Sequence, residues 1–240
     1  MYSFRNDYSE GAHPRVLQAL VDTNLTQTCG YGVDPICDEA RALIRTLCAA
    51  PDAAVHFLVG GTQTNMTVIT ALLASYEAVI AAHTGHVNCH ETGAIEATGH
   101  KVCTAYSPDG KVTPEMVESV LAIHADGEEH MVAPKLVYIS DTTEIGTVYT
   151  KAELTALRQC CDVHGLFLYL DGARLGSALT SPDNDLTLPE LAALTHAFTI
   201  GGTKNGALFG EALVLTRPMP HFRWHMKQRG AVLAKGRLLG

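Results

Sequence analysis

From Ala54 onward the chain alternates short apolar runs with longer amphipathic stretches, and no other feature limits its fold so strongly. Short runs alternating with segments of helical spacing are the signature of strands joined by crossover helices, so the expected fold is α/β with a mostly parallel central sheet flanked by helices. The strands are expected at 55–59, 78–81, 101–105, 136–140, 167–171, 198–200 and 212–216. Helices are expected at 14–22, 34–49, 62–75, 113–124, 151–164 and 188–194, the last entered through Pro189. The segment around Glu128 and Glu129 reads as an exposed connection. No internal repeat, low-complexity tract or Pro/Ser-rich linker divides the chain.

A length of 240 residues, 47% hydrophobic and 18% charged, supplies a full α/β core. The organisation it suggests is an N-terminal arm with helices over 1–50, a large domain over 51–220 and a C-terminal segment over 221–240. The net charge of -8 provides no basic field for nucleic acid or an anionic membrane. Seven cysteines, with Cys160 and Cys161 adjacent, form no regular disulfide pattern, so a reducing cytoplasm is expected. The first residues lack the apolar core of a signal peptide, and no stretch reaches the length of a membrane span, which predicts a soluble protein.

In open α/β sheets ligands gather beyond the carboxyl ends of the strands, and three such places hold unusual residues. In YLDGARLG an apolar strand ends in Asp171 followed by Gly172. Taken alone this is more readily an N-cap or turn aspartate, because Asp-Gly pairs commonly make turns. In FTIGGTKNGALFGEALVL, Lys204 lies between two apolar runs, with Gly201, Gly202 and Gly206 around it. A loop lysine is ordinarily a solvated charge, but glycines admit a close ligand, and shielding from water makes an amine nucleophilic. In VHFLVGGTQTNMTVITALL a strand leads through Gly60, Gly61 and Thr62 into a helix, whose free N–H groups favour a phosphate. Neither the GxGxxG nor the GxxxxGK[ST] fingerprint is present, which weighs against nicotinamide and ATP.

Together with HETGA (90–94), YSFRNDYSEGAHP and CGYGVDP, these motifs in this order resemble the threonine aldolase and β-eliminating lyase family of fold-type I pyridoxal phosphate (PLP) enzymes over nearly the whole chain. The resemblance implies PLP as cofactor, with Lys204 binding it as a Schiff base, Asp171 pairing with its ring nitrogen and Gly61 and Thr62 holding its phosphate. It implies that Arg174 grips a substrate carboxylate and that His90 stacks on the cofactor ring and moves protons. His83, His86 and His90, at spacings of three and four, also allow a metal reading, which the neighbouring residues do not complete. Tyr31 matches a segment that reaches a neighbouring subunit's site, so a homodimer or homotetramer is implied. Asn6 stands where the family has a small polar residue near the substrate carboxylate, and Thr142 and Thr143 are placed to touch the cofactor.

The implied reaction on a small amino acid is retro-aldol cleavage of threonine or allo-threonine into glycine and an aldehyde. Other PLP chemistry, such as β-elimination or transamination, and an inactive cofactor-binding fragment remain open. The family continues well beyond its lysine into a smaller domain that supplies a second carboxylate-binding arginine. This stretch therefore reads as lacking most of that domain, with Arg223, Arg229 or Arg237 as partial substitutes and 226–240 expected to be helix-like.

Overall fold

The computed structural model describes residues 3–125 and 127–240, so Tyr2 at the head of the opening motif lies outside it. In chain order its elements are α1 (Pro14–Asp22), α2 (Pro35–Leu47), β1 (Ala54–Leu58), α3 (Gly61–Leu72), β2 (Glu77–Ala82), α4 (His86–Cys89), β3 (Val102–Ala105), α5 (Pro114–Ala125), β4 (Ala133–Ser140), α6 (Lys151–His164), β5 (Phe167–Asp171), α7 (Leu175–Leu179), α8 (Leu188–Leu194), β6 (Ala197–Gly201), β7 (Glu211–Leu215) and α9 (Phe222–Gln228). No helix among the described residues is long and apolar enough to cross a membrane.

One seven-stranded sheet has the order β1-β7-β6-β5-β4-β2-β3. β7 runs antiparallel to both β6 and β1, and the other pairings are parallel. The exception follows from the loop between β6 and β7, residues 202–210, which is too short for the crossover a parallel neighbour requires. The chain must turn back on itself there, and Lys204 lies in that turn.

Side chains alternate across the sheet. Leu168 and Leu170 of β5 join Val117, Leu154, Leu157 and Leu191 in the core beneath α5, α6 and α8. Tyr169 faces the other way, with Tyr138, Leu213 and Leu215 against Val68 and Ile69 of α3 and Phe222 and Met226 of α9. Helix ends are sealed where the sequence offers caps: Thr150 with Glu153, and Thr187 with Glu190, form reciprocal capping boxes. Each such cap stabilises its helix by about 1 kcal/mol. Asp34 is likewise the cap of α2 and not its first residue, its Oδ1 accepting from the Cys37 amide at 3.0 Å.

Two short helices, α4 and α7, of four and five residues, carry too few residues for a periodic pattern to reveal them, and α9 begins four residues before the helix-like stretch expected from 226. The stretch 226–240 is not one helix. α9 stops at Gln228, Gly230 takes a φ of 72°, and the chain ends in a single 3-10 turn, Gly236–Leu239. β7 begins at Glu211, one residue earlier than expected, which carries a carboxyl group into the core.

Candidate active site

A cavity of about 380 Å³ opens beyond the ends of β1, β4, β5 and β6, where Gly60, Gly61, Thr62, His86, Thr142, Asp171, Arg174, Lys204 and Glu211 meet. A larger groove of about 740 Å³ lies between α1 and the C-terminal turn, but it gathers no comparable set of titratable groups.

Asp171 ends β5 on the face toward α3 and is 6% exposed. Three donors converge on its carboxylate: the Tyr138 hydroxyl (2.7 Å), the Asn65 side-chain amide (3.0 Å) and the Ala173 backbone N–H (2.9 Å). Such bonds stabilise a negative charge and fix its direction. Burial and the Asp171 charge push the hydroxyls of Tyr138 and Tyr169 upward, so both remain neutral donors.

The glycines near Lys204 act differently from the expectation. A Cβ on Gly172 would fall 1.9 Å from the Thr199 carbonyl oxygen, and one on Gly201 would fall 2.4 Å from that of Ala173. The Gly172 N–H donates to Thr199 Oγ1 (2.7 Å) and the Gly201 N–H to the Gly172 carbonyl (2.9 Å). Gly172 and Gly201 therefore let two strand ends touch backbone to backbone, bringing the aspartate and lysine loops together, rather than making room for a ligand. Lys204 itself is half-buried, with Nζ 5.8 Å from the centre of the Tyr8 ring.

At the other wall, α3 starts at Gly60 and Gly61 with no side chain capping its first turn. A Cβ on either glycine would meet nothing within 4 Å, so the space before the helix N-terminus is open. Free N–H groups and the positive end of a 12-residue helix suit a phosphate there.

His86, and not His90, lines the cavity. α4 begins at His86, which sends His90 one turn on to its exposed C-terminal end. The Glu144 carboxylate accepts from the His86 N–H at 2.8 Å, anchoring the start of this helix. His86 Nδ1 donates to the buried Glu91 at 2.8 Å, and Asn65 donates to the same Glu91 oxygen at 2.7 Å. Because Asn65 also bonds Asp171 and accepts from the Tyr169 hydroxyl (2.7 Å), one buried chain of bonds links the histidine to the aspartate. The Glu91 hydrogen bond draws His86 up from its ordinary value against the effect of burial. It also fixes the tautomer, leaving Nε2 as the acceptor of the neutral ring.

The three histidines do not converge on a common point. His83 stacks on Tyr106 at 4.7 Å, with Nδ1 accepting from the Ser107 N–H, while His86 holds Glu91.

Arg174 lines the cavity, but its guanidinium is engaged by Asp7 of the N-terminal arm, Nε to Oδ2 at 2.5 Å and Nη2 to Oδ1 at 3.2 Å. Burial pushes the Asp7 carboxyl up, yet the bond and charge of Arg174, with that of Lys204, outweigh it and hold Asp7 below its ordinary value. Asn6 does not reach the cavity. Its Oδ1 turns back to accept from the Tyr8 N–H (3.0 Å) and Ser9 hydroxyl (2.8 Å), a local turn typical of asparagine.

Tyr31, at a φ of 67° and half-exposed, lies apart, beside Val33, Trp224 and Lys227. Thr142 lines the cavity, whereas Thr143 is buried against Thr147. The three C-terminal arginines are spent elsewhere: Arg223 on the Tyr31 carbonyl, Arg229 on the Thr70 hydroxyl, Arg237 on the carbonyls of Thr23 and Asn24.

A sequence model of the beta-eliminating lyase family matches residues 5–238. The chain belongs to that family. Among members of the beta-eliminating lyase family and their structural neighbours, the chain is similar to the low specificity L-threonine aldolase of Pseudomonas aeruginosa, at 32% identity over 98% of this chain and 68% of the relative. The enzyme of the same description from Pseudomonas sp. is 34% identical, with the same coverage. The solved structure of Leishmania major threonine aldolase superposes with a TM-score of 0.96 at 55% identity, covering 100% of this chain and 70% of that one. An aminotransferase from Escherichia coli, 12% identical with a TM-score of 0.72, shares the fold.

Proposed function

We propose that the chain is a PLP-dependent lyase that cleaves β-hydroxy-α-amino acids, threonine and allo-threonine, between Cα and Cβ to give glycine and an aldehyde. The observation that supports this reading most is that Asp171, held by three donors, and Lys204 face one cavity that an uncapped helix start also lines. The similarity to threonine aldolases over nearly the whole chain supports the choice of reaction.

The residues suit the cofactor. Lys204 would hold its aldehyde carbon, Asp171 its ring nitrogen, and the Gly61 and Thr62 amides its phosphate, in the open space before α3. PLP bound there would supply a sink for the electron pair released at Cα.

The chain's own groups do the rest. His86, with Nδ1 committed to Glu91, would accept the β-hydroxyl proton at Nε2, whereas stacking and proton transfer in general were expected of His90. Arg174 would hold the α-carboxylate in place of Asp7. The Asp7 carboxylate therefore competes with substrate, and Asp7→Asn is expected to lower KM for threonine by up to about fivefold with kcat little changed. Both partners are partly exposed, and such pairs are worth under about 1 kcal/mol. Steady-state kinetics at low ionic strength checks this, and a raised KM would show that Asp7 positions Arg174 instead.

A homodimer or homotetramer suits the exposed Tyr31, Val33 and Trp224, with Tyr31 offered to a second copy. All seven cysteines are unpaired, as a reducing cytoplasm would keep them.

The test is direct. Purified chain given PLP should turn yellow and release glycine and acetaldehyde from threonine. Colour without glycine release, joined to formation of a 2-oxo acid from another amino acid, would move the reading to β-elimination or transamination.

A further inference from the structure

Two acidic side chains stand on the same face of the sheet at this cavity, and their surroundings differ sharply. Asp171 receives three hydrogen bonds, whereas Glu211 is 5% exposed and its fully buried Oε2 meets no partner among the described residues. Two neighbouring carboxyl groups in such unlike settings divide the labour: the one with donors carries charge, and the one without keeps a proton.

Glu211 is also held rigidly. Its backbone pairs with Leu58 of β1 and Gly201 of β6, and the loop bearing Lys204 is closed at its neck by the Gly202 N–H donating to the Gly210 carbonyl (2.9 Å). Glu211 follows that neck directly, so carboxyl and amine hang from one hairpin into one cavity. The charged groups acting on it are Asp171 from β5 and Lys204 from the loop, since its strand partners Leu58 and Gly201 contribute none.

We propose that Glu211 is a proton-transfer group of this site, exchanging a proton between its carboxyl and the Lys204 amine. The proposal rests on the reading of Lys204 given above. In the forward step the carboxyl O–H bond breaks as an N–H bond forms on the unprotonated amine, leaving carboxylate and ammonium. The reverse step restores both, and nothing else is consumed. Burial, then the Asp171 charge, pushes the Glu211 carboxyl up to about 8 against the opposing pull of Lys204, so the acid form is available at neutral pH.

The experiment compares the wild-type chain with Glu211→Gln and Glu211→Asp. In cofactor-free chain carrying 13C-labelled glutamate side chains, one resonance absent from Glu211→Gln should titrate near pH 8. With PLP bound, the visible spectrum should show a step at a matching pH that vanishes in Glu211→Gln and persists, displaced, in Glu211→Asp. Turnover of threonine by Glu211→Gln should fall by about 10²-fold with KM changed less than about threefold, the range of a lost proton-transfer group. An ordinary carboxyl titration in the labelled chain, or a spectral step unchanged in Glu211→Gln, overturns the proposal even if the variants fold poorly. Borohydride fixation separates the two readings. If PLP is not trapped on Lys204, both fall, and if it is trapped while the titration is insensitive to position 211, only this one does.

Discussion

Lys204→Ala should abolish glycine release from threonine, with a loss of about 10⁴-fold or more, and should leave no cofactor trapped on the protein by borohydride. The amine is cast in two roles, covalent anchor and proton carrier, and the second alone contributes about 10²- to 10⁴-fold. The fold should survive. Lys204 lies half-buried in a loop, and its one aromatic contact, with Tyr8, is worth about 1 kcal/mol. A melting temperature within a few degrees of wild type, alongside the lost trapping, would assign the defect to chemistry. Retained turnover would remove Lys204 from the mechanism.

Asp171→Asn should lower kcat by about 10²- to 10⁴-fold, the equivalent of the 3–5 kcal/mol lost when one partner of a buried charge pair is removed. Asparagine keeps the shape, and with its one amide oxygen at the Oδ2 position it still accepts from Tyr138 and Asn65, so only the Ala173 N–H loses its acceptor. The loss should therefore appear in turnover and PLP retention more than in stability. Dialysis against buffer, followed by absorbance and circular dichroism, measures the two separately. Full activity in Asp171→Asn would sink the assignment of the ring-nitrogen partner.

The sheet was legible because each strand is built around a short apolar run and each long helix shows its own spacing. Phe167–Asp171 and Lys151–His164 match the expected spans, and the order of motifs placed Asp171, Arg174, Lys204, Gly61 and Thr62 around one cavity. The histidine was misread for a local reason. HETGA drew attention to His90, but a four-residue helix begins at His86, and so short a helix leaves no periodic trace. Glu91 lay inside that motif, though its partnership with Asn65 spans two elements and no spacing encodes it. Asp7 was hidden in the same way, since its contact with Arg174 joins residues 167 positions apart. The expected strand 212–216 leaves Glu211 outside it, and only the antiparallel turn of β7 reveals that its side chain points inward among buried groups.

That reversed strand has a consequence for how the protein is made. β1, which leads into Gly60 and Gly61, is an edge strand whose sole neighbour among the described residues is β7, a partner roughly 160 residues distant in sequence. Contacts between such remote segments form slowly, because a long loop must close before they are rewarded. A nascent polypeptide can therefore assemble β2 to β6 on the ribosome while β1 still lacks the strand it pairs with. The first strand joins the sheet only when residues 211–215 slot between it and the rest.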